Sequence, residues 1–303
     1  MLFSDRMERP AFLLDFQDWA VMRITGPDAR EFLQGVGTQD VATLRPDAAK
    51  PTLFLSEKGR PLALAWAVLD REGEGATLFV EPGGREALLP HLDRLRVMED
   101  VVFAGPKGMP RLYGVAGRDR SRVARERAAA LPGGEAIEAD PATFLLLPPG
   151  AEKPGSAAGL LTSAVSPEEA EAWRIAAGIP RAGVDFDQDR IATELSLPQA
   201  ISLDKGCFVG QEVVARTTHR GAVRRHRIGF RYPGQAGILP RGTELRAGGN
   251  LHAGIITSTV LEPGTGRGLG MGYLTTEALQ NPVEVLAIQG TVTTHLEVAS
   301  WPL

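Results

Sequence analysis

Cysteine is almost missing from this chain: Cys207 is the only one in 303 residues. No disulfide can close within the chain, and no self-contained zinc or iron–sulfur site is expected, since each needs about four ligands. Lysine is nearly as scarce, with Lys50, Lys58, Lys107, Lys153 and Lys205 the full set, and arginine carries the remaining positive charge. Aromatic residues make up 6% of the chain, too few to interleave with basic residues as a stacking platform for single-stranded bases. No apolar run approaches the roughly 18 residues of a membrane span. No Gly-x-Ser-x-Gly elbow is present, so serine-hydrolase chemistry finds no support. A net charge of −4 argues against a protein that coats nucleic acid, while leaving room for a local basic patch.

What is present is ordinary in bulk and unusual in one place. Hydrophobic residues are 43% and charged residues 23% of the chain, as in globular proteins, and the length allows two domains or three small ones. The start, Met1 to Glu8, reads as neither a signal nor a transit peptide, which gives a cytoplasmic expectation. The unusual place is Lys205-Gly206-Cys207-Phe208-Val209-Gly210-Gln211-Glu212. Glycines flanking a cysteine let the backbone approach a neighbour or adopt positive φ. A thiol becomes reactive as a thiolate, which Lys205 or the N-terminus of the helical-looking run Gln211 to Arg216 would favour. The competing reading is a small buried hydrophobe, the usual fate of a free cysteine.

Along the chain, residues 11 to 25 read as a strand ending in Thr25-Gly26-Pro27-Asp28, followed by the amphipathic helix Ala29 to Gln34. Strands are expected at 51–56, 61–69 and 76–81, a helix at 86–96 and a strand at 101–103. A second pass gives a strand at 111–115, a helix near 119–131, a strand at 143–147 and a helix at 167–177. Ser166 is the N-cap of that last helix and Gly178 its stop. The stretch 147–159 reads as a Pro/Gly-rich loop. Strands alternating with helices suggest ferredoxin-like α+β units. From about residue 223, short β runs at 227–232, 244–246, 252–260, 268–274, 283–288 and 290–296 indicate a β-barrel or sandwich with no helix.

Three further stretches concentrate chemistry-bearing or conformationally special residues. Asp185-Phe186-Asp187-Gln188-Asp189 resembles the start of a calcium loop, but Arg190 and Ser196 stand where glycine and glutamate are needed, so a solvated loop is preferred. Glycines 264, 266, 268, 270 and 272 alternate without forming a GxGxxG; they clear one face of a strand for close packing. Arg216, His219, Arg220, Arg224, Arg225, His226 and Arg227 crowd twelve residues. They read either as an exposed basic hinge or as an anion site, which suits the carboxylates of a glutamate tail better than RNA.

The motif at 205–212 resembles the signature of the YgfZ-type folate-binding proteins, relatives of the glycine-cleavage aminomethyltransferases. The stretch Ile24-Thr25-Gly26-Pro27-Asp28-Ala29 … Phe32-Leu33-Gln34-Gly35 … Thr38-Gln39-Asp40-Val41 resembles the opening of the same superfamily. The resemblance implies an aminomethyltransferase-like α+β fold. Two intertwined ferredoxin-like domains (1–218) would surround a central cavity, followed by a C-terminal β-barrel (223–303). It also implies tetrahydrofolate or a one-carbon derivative as ligand, and iron–sulfur enzymes or assembly proteins as partners. The role would be maturation or repair of such enzymes, with a link to tRNA modification but no direct nucleic-acid binding and no membrane. Cys207 and Lys205 would be the working pair, with Gly206, Phe208, Gly210, Gln211 and Glu212 shaping the loop. Folate would draw on Arg174, Glu194, Arg216, Arg220 and Arg225.

Two departures from the family pattern stand out. The transferases place a pterin-binding glutamate where this chain has Ala176. They also place a pair of aspartates where this chain has Leu62-Ala63-Leu64-Ala65, so glycine cleavage is not expected. The alternatives are a folate-dependent one-carbon transferase using Cys207, or a scaffold that binds no folate.

Overall fold

The computed structural model describes residues 9–71, 74–105, 110–151, 162–221, 223–248, 250–280 and 284–301. Met1 to Glu8, Lys107, Lys153 and most of the expected 147–159 loop lie outside these residues. The chain divides into two units. One comprises the described part of Met7–Val165 with Leu197–Val213; the other comprises the described parts of Ser166–Ser196 and Val214–Leu303.

In the first unit, the expected strand over residues 11–25 is two strands, β1 (Phe12–Asp15) and β2 (Ala20–Thr25), which join different sheets. The break is a polar turn: the Asp15 carboxylate accepts from Gln17 N–H at 3.1 Å, and Trp19 N–H donates to Phe16 O at 3.0 Å. Asx turns of this kind interrupt a strand by offering its amides a local partner. After β2 come α1 (Ala29–Val36), β3 (Lys50–Leu55), β4 (Pro61–Leu69), β5 (Ala76–Val80), α2 (Arg85–Leu95) and β6 (Val102–Ala104). The sheet order is β3-β4-β5-β2-β6, antiparallel throughout. Strands β4, β5, β2 and β6 with the two helices form a split βαβ arrangement, and β3 adds an edge.

The chain then returns to the sheet of β1 through β7 (Arg111–Ala116), α3 (Arg120–Ala129), β8 (Glu135–Ile137), β9 (Thr143–Leu147) and β10 (Thr162–Ala164), in the order β10-β1-β7-β9-β8. Strands β8 and β10, three residues each, carry too little period to be read from sequence. β4 is apolar almost throughout because both its faces are covered. Ala63, Ala65 and Ala67 pack in a core with Phe32, Leu33 and Leu88 of α1 and α2. Trp66 faces the other way, into an aromatic cluster with Trp19, Phe79 and Phe144 that joins the two sheets.

The second unit opens with α4 (Pro167–Ala176), capped as its sequence predicts: Ser166 Oγ accepts from Glu169 N–H, and Glu169 accepts from Ser166 N–H. Gly178, at φ +71°, ends it. Helix α5 (Gln211–Arg220) follows, its first turn belonging to the two-sheet unit. Then come β11 (Arg225–Pro233), β12 (Glu244–Ala247), β13 (Asn250–Leu261), β14 (Arg267–Thr275), α6 (Thr276–Gln280), β15 (Val285–Gln289) and β16 (Val292–Ala299). The strands close into a barrel in the order β11-β14-β13-β12-β15-β16. The five-residue helix α6 corrects the expectation of an all-strand segment; its Ala278 reaches the barrel core.

Alternating glycines on β14 do what close packing asks of them. A Cβ on Gly268 would stand 2.1 Å from the Tyr232 ring, and one on Gly270 would stand 2.3 Å from Phe230. The Tyr232 and Phe230 rings therefore fit only because β14 carries no side chain at positions 268 and 270. Its outer face carries α4 against β13 and β14.

Candidate functional site: the Cys207 arch

Residues 204–210 form an arch without regular secondary structure, and Cys207 is exposed on it. This excludes the buried-hydrophobe reading of the thiol. One foot of the arch is Lys205. Its Nζ donates to Gln34 O at 2.6 Å, Gly37 O at 2.6 Å and Gln39 O at 2.9 Å. An ammonium has three N–H donors, and all three are taken. These hydrogen bonds run to the last turn of α1 and the loop that follows it. Burial pushes the ammonium down to about 8, while Asp40 favours the charged form. Beside it, the Phe208 ring lies 5.3 Å from Nζ and is itself buried.

The other foot is held by backbone. Val209 N–H donates to Gly35 O at 3.0 Å, and Phe208 N–H donates to the Gln211 side chain at 3.2 Å. Gly210, at φ +81°, fits against Ser56 O and Gly59, where a Cβ would come within 2.7 Å of that carbonyl. Here only glycine suits the backbone and the space. Gly206 differs: its φ is not left-handed and nothing lies within 4 Å of an added Cβ, so neither reason for glycine applies. The bond from Phe208 N–H ties the Gln211 side chain to the arch. The Glu212 side chain is exposed and makes no hydrogen bond among the described residues.

The expected folate residues separate into two kinds. Arg174 is 6% exposed, and its five N–H donors are all occupied. Glu171 takes two of them (2.9 and 2.6 Å), and Asp185 (2.6 Å), Ile179 O (2.6 Å) and Ser258 Oγ (3.0 Å) take the others. Burial alone would lower the Arg174 pKa, but the two carboxylates outweigh it and raise it. Arg174 is thus a structural hub with no donor left for a ligand, which corrects its assignment. Asp185 also accepts from Thr257 (2.7 Å) and Ser258 (2.6 Å). Asp187 and Asp189 are exposed as a solvated loop predicts, but Asp185 is buried against that expectation, because it is the counter-ion of Arg174.

Glu194 is buried, and its carboxylate accepts from Ile191 N–H at 3.3 Å, capping a short 3-10 turn. Ala176 is 1% exposed. Arg216, Arg224 and Arg225 are exposed; the side chains of His219 and Arg220 lie outside the described residues. Arg227 is not part of the exposed set. It is buried, donates to Leu195 O at 2.7 Å and stacks 4.0 Å over Trp301, and burial pushes it down to about 10. Along β4, Ala63 and Ala65 are fully buried, so the positions that would hold transferase carboxylates are sheet core.

The fold is that of an aminomethyltransferase: the chain superposes over 98% of its length on the glycine cleavage system aminomethyltransferase T from Bartonella henselae, covering 87% of that chain, with a TM-score of 0.83 at 19% identity. Among sequences, an aminomethyltransferase from Rubrobacter xylanophilus is 29% identical over 292 residues, spanning 88% of this chain and 77% of that protein. The tRNA-modifying protein YgfZ of Shigella dysenteriae serotype 1 is 30% identical over 276 residues (83% of this chain, 81% of that protein). That of Escherichia coli O6:H1 is 30% identical over 281 residues, 84% and 83% of the two chains. No family model matches. The chain belongs to the YgfZ family.

Proposed function

We propose that this chain is a folate-linked helper in the maturation or repair of iron–sulfur enzymes, including enzymes of tRNA modification, and that Cys207 is its working group. The observation that carries the reading is the contrast within one motif. The side chains of Lys205, Phe208 and Gln211 are engaged by the protein, while the thiol between them is exposed on an anchored arch. A single thiolate supplies one ligand toward iron where a cluster needs about four, so the others come from a partner protein. The names of the YgfZ relatives supply the link to tRNA modification.

The residues present fit folate at one end only. Exposed Arg216 and Arg225 suit the carboxylates of a glutamate tail, which guanidinium groups grip bidentately. At the pterin end, Ala176 offers no acceptor and Arg174 no free donor. The folate is therefore held through its tail, and no chemical step is assigned to it. A one-carbon transferase reading lacks support because β4 carries no carboxylate at 62–65.

The test is complementation. In cells whose only copy of this protein is Cys207→Ser, iron–sulfur enzyme activity and iron–sulfur-dependent tRNA modification should fall to the level of cells lacking it. Normal levels of both would sink the reading. Calorimetric titration of tetrahydrofolate into wild type and Arg225→Ala tests the tail: the variant should bind more weakly, and equal binding removes Arg225 from the site.

A further inference from the structure

We infer that Lys205 is a positioning residue for Cys207, a helix C-cap delivered from far along the chain: its ammonium and the Val209 amide close the carbonyl end of α1, and the thiol stands on the arch between these two anchors. The inference rests on the reading that Cys207 is the working group, and gives Lys205 a role other than counter-ion.

Helix ends leave their last carbonyls without partners, and cations are favoured there because the macrodipole is negative at that end. Helix α1 has no basic residue in its own last turn. Its final carbonyls are instead met in succession: Leu33 O by Gly37 N–H, Gln34 O by Lys205 Nζ and Gly35 O by Val209 N–H. Lys205 also gathers Gly37 O and Gln39 O from the loop that follows, so one charge ties the last turn of the helix to that loop. The same two segments are laced further up. Thr38 Oγ1 donates to Ala200 O at 2.6 Å, Ser202 N–H to Thr38 O at 2.9 Å and Gln39 Nε2 to Gln199 O at 2.9 Å. Lys205 and Val209 extend this lacing past Cys207 on both sides. The groups facing the ammonium are the three carbonyls, the Phe208 ring and the Asp40 charge.

This arrangement separates two roles that a lysine two residues from a cysteine can play. A counter-ion lowers the thiol pKa. An anchor leaves that pKa alone and fixes where the thiol is. The experiment compares wild type with Lys205→Met as purified full-length protein, using iodoacetamide as probe. Alkylation of Cys207 is followed from pH 6 to 10, and amide hydrogen exchange is followed over residues 34–39 and 203–209. The expected result is exchange at least about tenfold faster in both segments, with the midpoint of the alkylation profile where it is in wild type. A midpoint that moves up in the variant makes Lys205 a counter-ion and overturns the inference; unchanged exchange overturns it as well.

Where Lys205→Met fails to fold, Lys205→Gln, which keeps two N–H donors without the charge, is read in the same way. Loss of cooperative folding in both variants overturns the inference in favour of a global role. Harmless Cys207→Ser in cells would remove the thiol reading while leaving the exchange and alkylation results to decide the anchor.

Discussion

Lys205 and Arg174 are both partly or wholly buried cations, and both sit in stretches whose sequence points to function, yet the protein neutralises them in opposite ways. Arg174 meets two carboxylates and two hydroxyl- or carbonyl-bearing partners, with every donor occupied and Asp185 in turn held by Thr257 and Ser258. Lys205 hydrogen-bonds to backbone carbonyls, with the Asp40 charge acting on it without a hydrogen bond among the described residues. A buried ion pair contributes through its mutual attraction and costs heavily when one member is removed. A carbonyl cage contributes dipoles that were already unsatisfied at a helix end, so its loss is felt locally. The comparison teaches where to look for function in this chain: a residue whose polar atoms are all engaged is scaffold, however suggestive its motif, and of the motif side chains left facing solvent, those of Cys207 and Glu212, only the thiol is a soft nucleophile and metal ligand.

The comparison breaks most visibly at Arg174. Arg174→Met should destabilise the barrel-containing unit by about 3–5 kcal/mol, because Asp185 remains as a buried charge without its counter-ion. Denaturant midpoints with circular dichroism measure this, and a loss under 1 kcal/mol would mean the network relaxes to water. The pH dependence carries a sign. Burial alone would raise the Asp185 pKa, but Arg174 and the two hydroxyls hold it below the usual carboxylate range. The stabilisation is therefore complete above the ordinary Asp value and is lost as pH falls through the depressed one. In Arg174→Met that acid-side loss should disappear.

The next effect in size is at the other foot of the arch. Gly210→Ala forces a Cβ into left-handed backbone and to within 2.7 Å of Ser56 O. A loss of about 1–3 kcal/mol in the two-sheet unit is expected, whereas Gly206→Ala should be nearly neutral, since nothing crowds it. Equal losses at both glycines would dissolve the distinction between them.

Much of this was legible in the sequence, and the remainder was hidden for identifiable reasons. The N-cap at Ser166, the stop at Gly178 and the β14 glycines follow from local chemistry, and the structure keeps them. The motif around Cys207 marked the right stretch. What it could not show is that Lys205 faces Gln34, Gly37 and Gln39, because those groups are backbone carbonyls, common to every residue type, and lie up to 171 positions away. Arg174 and Asp185 are misjudged for the same reason: Asp185 looks like one acid among three in a loop, and only the tertiary fold separates it from exposed Asp187 and Asp189. Arg227 is likewise indistinguishable in sequence from Arg224 and Arg225, although strand alternation would place 225 and 227 on one face; Arg225 stands at the exposed start of β11 and Arg227 in its buried middle.

Lys205 offers a smaller effect with a definite direction. Its folded pKa, about 8, lies below the ordinary lysine value, so between these two values the unfolded chain holds more protons than the folded one. Its contribution to stability is therefore constant below about pH 8 and rises as pH climbs toward the ordinary value. The advantage of wild type over Lys205→Met in denaturant midpoint should grow from pH 7 to pH 9.5. An advantage that shrinks over that interval would mean that the three carbonyls favour the charged form more strongly than burial disfavours it.

The smallest expected effect on stability is at the residue with the largest expected effect on function. Cys207 is exposed, so Cys207→Ser exchanges one small polar tip for another in solvent and should change stability by no more than about 0.5 kcal/mol. The arch should persist, because its anchors are the Lys205 side chain, the Val209 amide and Gly210, none of which the substitution touches. Midpoints of wild type and variant measured side by side, with amide exchange over 203–209, decide this. Matching midpoints and matching exchange would assign any cellular defect of Cys207→Ser to sulfur chemistry. A drop well beyond that figure would show that the thiol helps to hold the arch, and the contrast between engaged and unengaged residues would then no longer mark the working group.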